Sequence, residues 1–394
     1  MSALESLKAL AGSTPRQLQA AEVLGQLGLP GRQLEDWKYL SLKHLQSKTL
    51  AAPTSDFDGD MASFDIPGLT AVRLVWVNGV FHADLSDQAE GLTWLQDATD
   101  LDWVAPEIDG LAAANLAAGQ LVELAVSDAL QMPVHCLFIA EGEDQAAQPR
   151  LQWRVAANAQ LDLLEQHVGE GANLVNMVSQ FDLAADSKVT RYKLLNTKNA
   201  THTGHTWAQV RRNADFQNHF IDLGGKFHRD QICVQLIESH ANTRLNGLYM
   251  VDGRNLSDSH TRIEHLVPQA TSAQHYRGIA NGRGKAVFNG LVYIGENASQ
   301  SATEQKNANL LLSDTAEINP KPELQIHNDD VVASHGSTVG NLDEEQLFYL
   351  RQRGISEAEG RALLTFAFAE QIAQALPSQP LADYLEARFA QDVL

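Results

Sequence analysis

From about residue 133 to about residue 340 the chain is built of short apolar runs separated by turns rich in Gly, Asn, Asp and Ser. Examples are "PVHCLFIA", "RLQWRVA", "KVTRYKLL", "QICVQLIES" and "AVFNGLVYIG". Periodic segments long enough for helices are almost absent there, so this stretch of about 200 residues must be all-β. Sandwich, barrel and solenoid all accommodate such a pattern. One internal echo favours the solenoid: Asn246-Gly247-Leu248-Tyr249-Met250-Val251 resembles Asn289-Gly290-Leu291-Val292-Tyr293-Ile294. Two coils of a parallel β-helix, at about 20 to 25 residues each, would produce that offset. The open ends of such a stack need caps, because unpaired strands invite aggregation, and helical segments on either side would serve.

Those flanks read as helical. Leu4, Leu7 and Leu10 recur at helical spacing, and Thr14-Pro15 is a helix start with Thr14 as N-cap. "AVRLVWVNGVFHADLS" reads as a hairpin about Asn78-Gly79, and residues 109 to 130 read as helical again. After the β region, Asp343 with Gln346 and Ser356 with Glu359 have capping-box spacing, and Gly354 stops the first of the two helices. The second carries apolar residues on more than one face, through Leu363, Leu364, Phe366, Phe368 and Ile372. A helix so apolar packs on two neighbours, one of which can be another chain. The expected organisation is therefore a mainly helical region with a small hairpin over 1–130, a β-solenoid core over 131–341 and a helical region over 342–394.

Charge narrows the partners. Lys and Arg number 29 against 49 Asp and Glu, a net charge of −20, with no basic stripe. Such a surface repels phosphate backbones and anionic membranes, so neither nucleic acid nor membrane is an expected partner. The start "MSALESLKALAG" has no basic head before a long apolar run, and the expectation is a soluble cytoplasmic protein. The two cysteines, Cys136 and Cys233, lie in apolar strand-like runs and read as buried structural thiols.

Histidine is the one plentiful reactive type, 14 in all, ten of them between His202 and His335. Imidazole suits iron and zinc, yet HExxH, HxH and zinc-type Cys/His spacings are missing. His202 and His205 would fall on opposite faces of a strand, and so would Asp329 and Asp330. "GRGKAVFNG" lacks phosphate-loop spacing and reads as a turn, and no GxSxG is present. His335 stands apart by context. A strand-like run ends at Ser334-His335-Gly336, where Gly336 would let the backbone turn away and leave the imidazole at a strand end or sheet edge. No self-sufficient catalytic centre is visible, which predicts a non-enzymatic scaffold or a site completed by another subunit.

"KPELQIHNDDVVASHGSTVGNLDEEQLFYLRQRGI" closely resembles the C-terminal signature of the SufB/SufD family, scaffold proteins of the SUF iron–sulfur assembly machinery. "LEDWKYLSL", "GLYMVDGRNLSDSHTRIEH", "SAQHYRGIANGRGKAVFNGLVYI" and "ATEQKNANLLLSDTAEINPKPEL" are similar to the family too. The Ser-His-Gly and the length of 394 residues look like the SufD branch. The resemblance implies a right-handed parallel β-helix flanked by helices. It implies pairing with SufB, edge to edge at the β-helix ends, and binding of the ATPase SufC through the C-terminal helices, where Tyr349, Phe366 and Phe368 are the expected contacts. It also implies a transient iron–sulfur cluster near the SufB–SufD interface, with His335 as this chain's contribution and the thiolate from the partner. Ala333 stands where some relatives have cysteine, so this stretch offers no thiolate of its own. Motion imposed on the helix beginning at Asp343 would lie close to that site. A reduced flavin in the complex and a homodimer of the isolated chain both fit the resemblance. Two other readings compete: a β-helix carbohydrate-active enzyme, which would need paired acids and exposed aromatics, and a stand-alone histidine metalloprotein.

Overall fold

In the computed structural model, which describes residues 1–96 and 108–393, two ten-stranded sheets face each other and form a flattened β-solenoid of about eight turns. From Gln160 onward consecutive strands alternate between the sheets, so each strand pairs in parallel with the next but one. Most of these strands are ten residues long, for example Lys188–Thr197, Thr201–Val210, Asn242–Val251, Leu256–His265, Thr271–Ala280 and Lys285–Ile294.

One coil is therefore two strands and longer than the echo suggested. Asn246 and Asn289 occupy the same place in Asn242–Val251 and Lys285–Ile294, but those strands lie on opposite sheets, one and a half coils apart. The repeat unit that the sequence echoes is the half-coil.

Side chains alternate inward and outward along each strand. Inward residues such as Val189, Leu195, Phe216, Phe220, Val234, Ile263 and Phe288 form one continuous core along the axis. Each such fully buried side chain contributes about 1.5–3 kcal/mol. The middle coils also bury charge within this core. Arg191 holds Glu165 through two hydrogen bonds of 3.0 and 2.6 Å and also donates to Thr206 and Asn218. Lys193 meets Asp230 at 2.5 Å, with both side chains almost wholly buried.

The helices cover the flat faces of the solenoid, not its ends. Helices Ala3–Ala9, Pro15–Leu27 and Gly110–Ala118 lie over one sheet, packing on Leu174, Phe227, Val178 and Trp207. Helices Glu344–Gln352, Glu357–Ala373 and Gln379–Val393 are grouped with the other sheet through Tyr192, Leu194, Ile221, Leu248, Ile279 and Leu310. Thr14 and Ser356 are N-caps in complete capping boxes, and Gly354 stops its helix with φ +87°. Asp343 caps with its own side chain, accepting from the amides of Glu345 and Gln346.

Within residues 109–130 only Gly110–Ala118 is helical; Leu121–Val126 is a strand of the solenoid, paired in parallel with Arg150–Val155. It follows Gly119, where the helix has already ended. The hairpin about Asn78-Gly79 forms as expected, both residues taking positive φ as a type I′ turn requires. Its first strand, Val72–Val77, also pairs in parallel with Val134–Ile139. Antiparallel strands Val80–His82 and Leu92–Gln96 finish the two sheets at this end. At the other end strands Glu317–Ile326 and Val331–Asn341 are the last in their sheets, and among the described residues no further strand pairs with their outer edges.

Candidate functional site

His335 lies at this bare end. The strand does not stop at Gly336 but runs on to Asn341, so His335 sits mid-strand in the outermost strand of its sheet. The outward-pointing Gly336 and Gly340 have nothing within 4 Å of where a Cβ would stand. An open surface explains the glycines, and no backbone turn is needed. Val331 and Ala333 pack on the inward Val292 and Ile294, and Ser337 Oγ reaches the buried Asn307 at 3.3 Å. His335 shares their parity and so belongs to the inner wall of the solenoid, exposed only because no further coil covers it. Its ring has no hydrogen bond to any described residue.

The coil beneath His335 is polar. Its register partner is Gln305, fully buried, whose Nε2 donates to Gln274 Oε1 at 3.2 Å. Thr261 Oγ1 donates to that same oxygen at 2.7 Å. Beside them Asn307 Nδ2 donates to Tyr249 Oη at 3.2 Å, and Asn309 Nδ2 reaches the Thr338 carbonyl at 3.0 Å, tying the last strand down. The opposite wall is Glu317–Ile326. The amides of Glu317 and His327 donate back to Gly284 and Ile294, so the even-numbered residues between them turn their backbone nitrogens to the open side. Pro320 and Pro322 occupy two of those positions and leave no donor there. Val331–Asn341 contains no proline, and its exposed Val332 and Val339 are 73% and 44% accessible. A long exposed edge of this kind is a template for strand addition.

The remaining histidines do not join His335. Among the described residues no set of three His, Cys, Asp or Glu side chains stands close enough to hold a metal ion. His202 points inward and His205 outward, as their spacing requires; His205 Nε2 lies 3.3 Å from Asp109 under the N-terminal helices. His167, His202 and His228 form a column inside the solenoid, with ring centroids 4.7 and 5.9 Å apart. Burial holds the first two far below the ordinary imidazole range, and Lys193 adds to the effect. Burial likewise pushes the Cys136 thiol up, with the Glu165 charge adding to it, so this cysteine is not poised to react. Cys233 is buried under the N-terminal helices and, like Cys136, is not disulfide-bonded. Asp329 and Asp330 sit in a bend ahead of the last strand, where the Asp330 amide donates to Asn328.

The C-terminal helices divide the expected contact residues. Tyr349 is 56% exposed, its hydroxyl 3.0 Å from Arg353 Nη2. Phe366 and Phe368 are half-buried against the apolar cluster under the helices, and Arg277 stacks on Phe368 at 4.6 Å. The exposed apolar residues here are Phe348, Tyr349 and Leu363. Sequence periodicity names the stripes of a helix but not the stripe that meets the sheet, so Leu363 was read only as one apolar residue of its helix and Phe348 passed unremarked. Gln305 was missed because cross-strand register leaves no local signal.

Residues 138–368 match the family model described as SUF system FeS cluster assembly, SufBD core domain. The iron–sulfur cluster assembly protein SufD of Escherichia coli K12 is 30% identical across 97% of this chain and 94% of its own length. The iron–sulfur cluster assembly SufBD family protein slr0076 of Synechocystis is 30% identical over 91% of this chain and 86% of its own. Protein ABCI7, chloroplastic, of Arabidopsis thaliana is 28% identical over 73% of this chain. With the β-solenoid, the signature around His335 and these matches together, the chain belongs to the SufB/SufD family of iron–sulfur cluster assembly proteins.

Proposed function

We propose that this chain is the SufD-type half of a cytoplasmic SUF scaffold, with no turnover of its own. A SufB-type paralogue joins it at the open end by pairing along Val331–Asn341. His335, on the inner wall of that end, then faces the partner's thiolate across the junction and helps to hold a transient iron–sulfur cluster. The observation that carries this reading is the combination of a proline-free, exposed eleven-residue edge strand with an inward-facing imidazole in its middle. A thiolate and an imidazole from two chains form a mixed donor set suited to iron, and neither chain then holds the cluster alone. A SufC-type ATPase docks on the exposed face of the C-terminal helices, around Phe348, Tyr349 and Leu363. Phe366 and Phe368 act as the buttress that fixes those helices to the solenoid.

Co-expression with a SufB and SufC pair tests this. His335→Ala should leave the complex intact on gel filtration and remove most of its iron and acid-labile sulfide. Val339→Pro, which deletes a backbone donor in the exposed strand, should weaken assembly itself. A His335→Ala complex with a normal cluster content would overturn the role given to His335. A Val339→Pro chain that pairs as tightly as wild type would overturn the docking edge.

A further inference from the structure

We propose that Gln305 is the positioning residue for His335: its amide oxygen accepts one ring N–H and leaves the other ring nitrogen's lone pair facing the open end. This deepens the reading above and rests on His335 being a ligand there. Gln305 and His335 are register partners on adjacent parallel strands, and both side chains point inward. Strands pair at about 4.8 Å, so the imidazole stands directly over the amide.

The orientation of that amide is already fixed. Its Nε2 is turned one coil inward to Gln274 Oε1, which Thr261 also holds. The Oε1 of Gln305 is buried without a hydrogen-bond partner among the described residues. With the nitrogen turned inward, the oxygen is the prong left for the coil on the other side, which is the coil of His335. Gly290 is part of the arrangement, because a Cβ there would lie 2.1 Å from Gln305 Nε2 and displace the amide.

In the open chain water can serve the exposed imidazole. Once a partner covers the end, the ring needs a protein acceptor and the buried oxygen needs a donor, and each supplies what the other lacks. A histidine that binds metal through one nitrogen characteristically donates its other N–H to such an oxygen, which fixes the tautomer and the ring plane.

The test uses the complex with SufB- and SufC-type partners, stripped of cluster and titrated with Co(II) as the probe. Gln305→Leu should weaken the His335-dependent Co(II) site by about 10- to 100-fold, the usual cost of losing such a partner. Gln305→Glu, which keeps an acceptor oxygen, should stay within a few-fold of wild type. A high-resolution structure of the wild-type complex should place a ring nitrogen of His335 within hydrogen-bond distance of Gln305 Oε1. An intact Gln305→Leu complex with wild-type affinity would overturn this proposal alone, as would equal losses in both variants. So would a His335 ring turned away from Gln305 in the complex, which requires no variant to fold. If His335→Ala binds Co(II) as wild type does, the ligand role of His335 has failed and the metal half of the proposal falls with it. The structure still decides whether the two side chains pair.

Discussion

Acidification should unfold this protein well before its carboxylates are protonated. Burial lowers His135, His219 and His265 to about 4, and holds His167 and His202 far below the ordinary range. An unfolded histidine titrates near 6.5. Between roughly pH 6.5 and 4 the unfolded chain therefore binds protons that the folded chain refuses, and stability falls as pH falls through that window. Each of the five takes up at most one extra proton on unfolding, worth about 1.4 kcal/mol per pH unit, so the limiting slope is about 7 kcal/mol per unit. Two units of acidification thus remove at most about 14 kcal/mol, comparable to a typical stability of about 5–15 kcal/mol. Urea unfolding followed by far-ultraviolet circular dichroism at pH 7.5, 6.5 and 5.5, at fixed ionic strength, measures the slope. His167→Phe isolates one contribution. It keeps the ring that stacks on Phe138 at 4.5 Å, removes two buried nitrogens that have no hydrogen-bond partner among the described residues and removes one proton site. The variant should be about 1.4 kcal/mol per unit less pH-sensitive below pH 6. Equal stability of wild type at pH 7.5 and 5.5, or a His167→Phe slope matching wild type, would refute the reasoning.

Other perturbations separate the parts of the molecule. Glu165→Gln leaves the Arg191 guanidinium charged and sealed in the core, and should cost about 3–5 kcal/mol in chemical denaturation. Replacing Glu165 and Arg191 together by apolar residues should recover much of that loss. Tyr349→Ala should weaken pull-down of a SufC-type ATPase while leaving the melting temperature unchanged. Phe368→Ala should lower the melting temperature, at a cost of about 1–3 kcal/mol, because it removes packing and the Arg277 stack. Gly290→Ala should destabilise the chain through its clash with Gln305, and Gly336→Ala, with empty space around it, should be neutral to stability.

The punctuation of the β region made the solenoid legible, because turn residues and strand length are local properties. Coil size was not. Asn246 and Asn289 repeat a half-coil pattern, and only the register shows that their strands belong to opposite sheets. Parity with the inward-packed Val331 and Ala333 puts His335 on the inner wall in the structure, whereas Gly336 had pointed to a turn: a glycine on an uncovered outward position looks in sequence like a glycine in a turn. Leu121–Val126 read as helix because Leu, Glu and Ala favour helices, and parallel pairing with Arg150–Val155 overrode that preference. Phe366 and Phe368 were legible as apolar but not as buried, since which side of a helix meets the sheet depends on strands more than a hundred residues earlier, such as Lys188–Thr197.

The mouth of the solenoid has two unlike lips. Pro320 and Pro322 seal one against zippering with a neighbour, while the other, free of proline, stays adhesive along its full length. If the proposed pairing holds, a chain made in excess of its mate must shelter that adhesive lip against something, a twin included. Under that pairing, matched synthesis of the two halves would keep the lip covered, and light scattering of the lone chain against the co-expressed pair would reveal it.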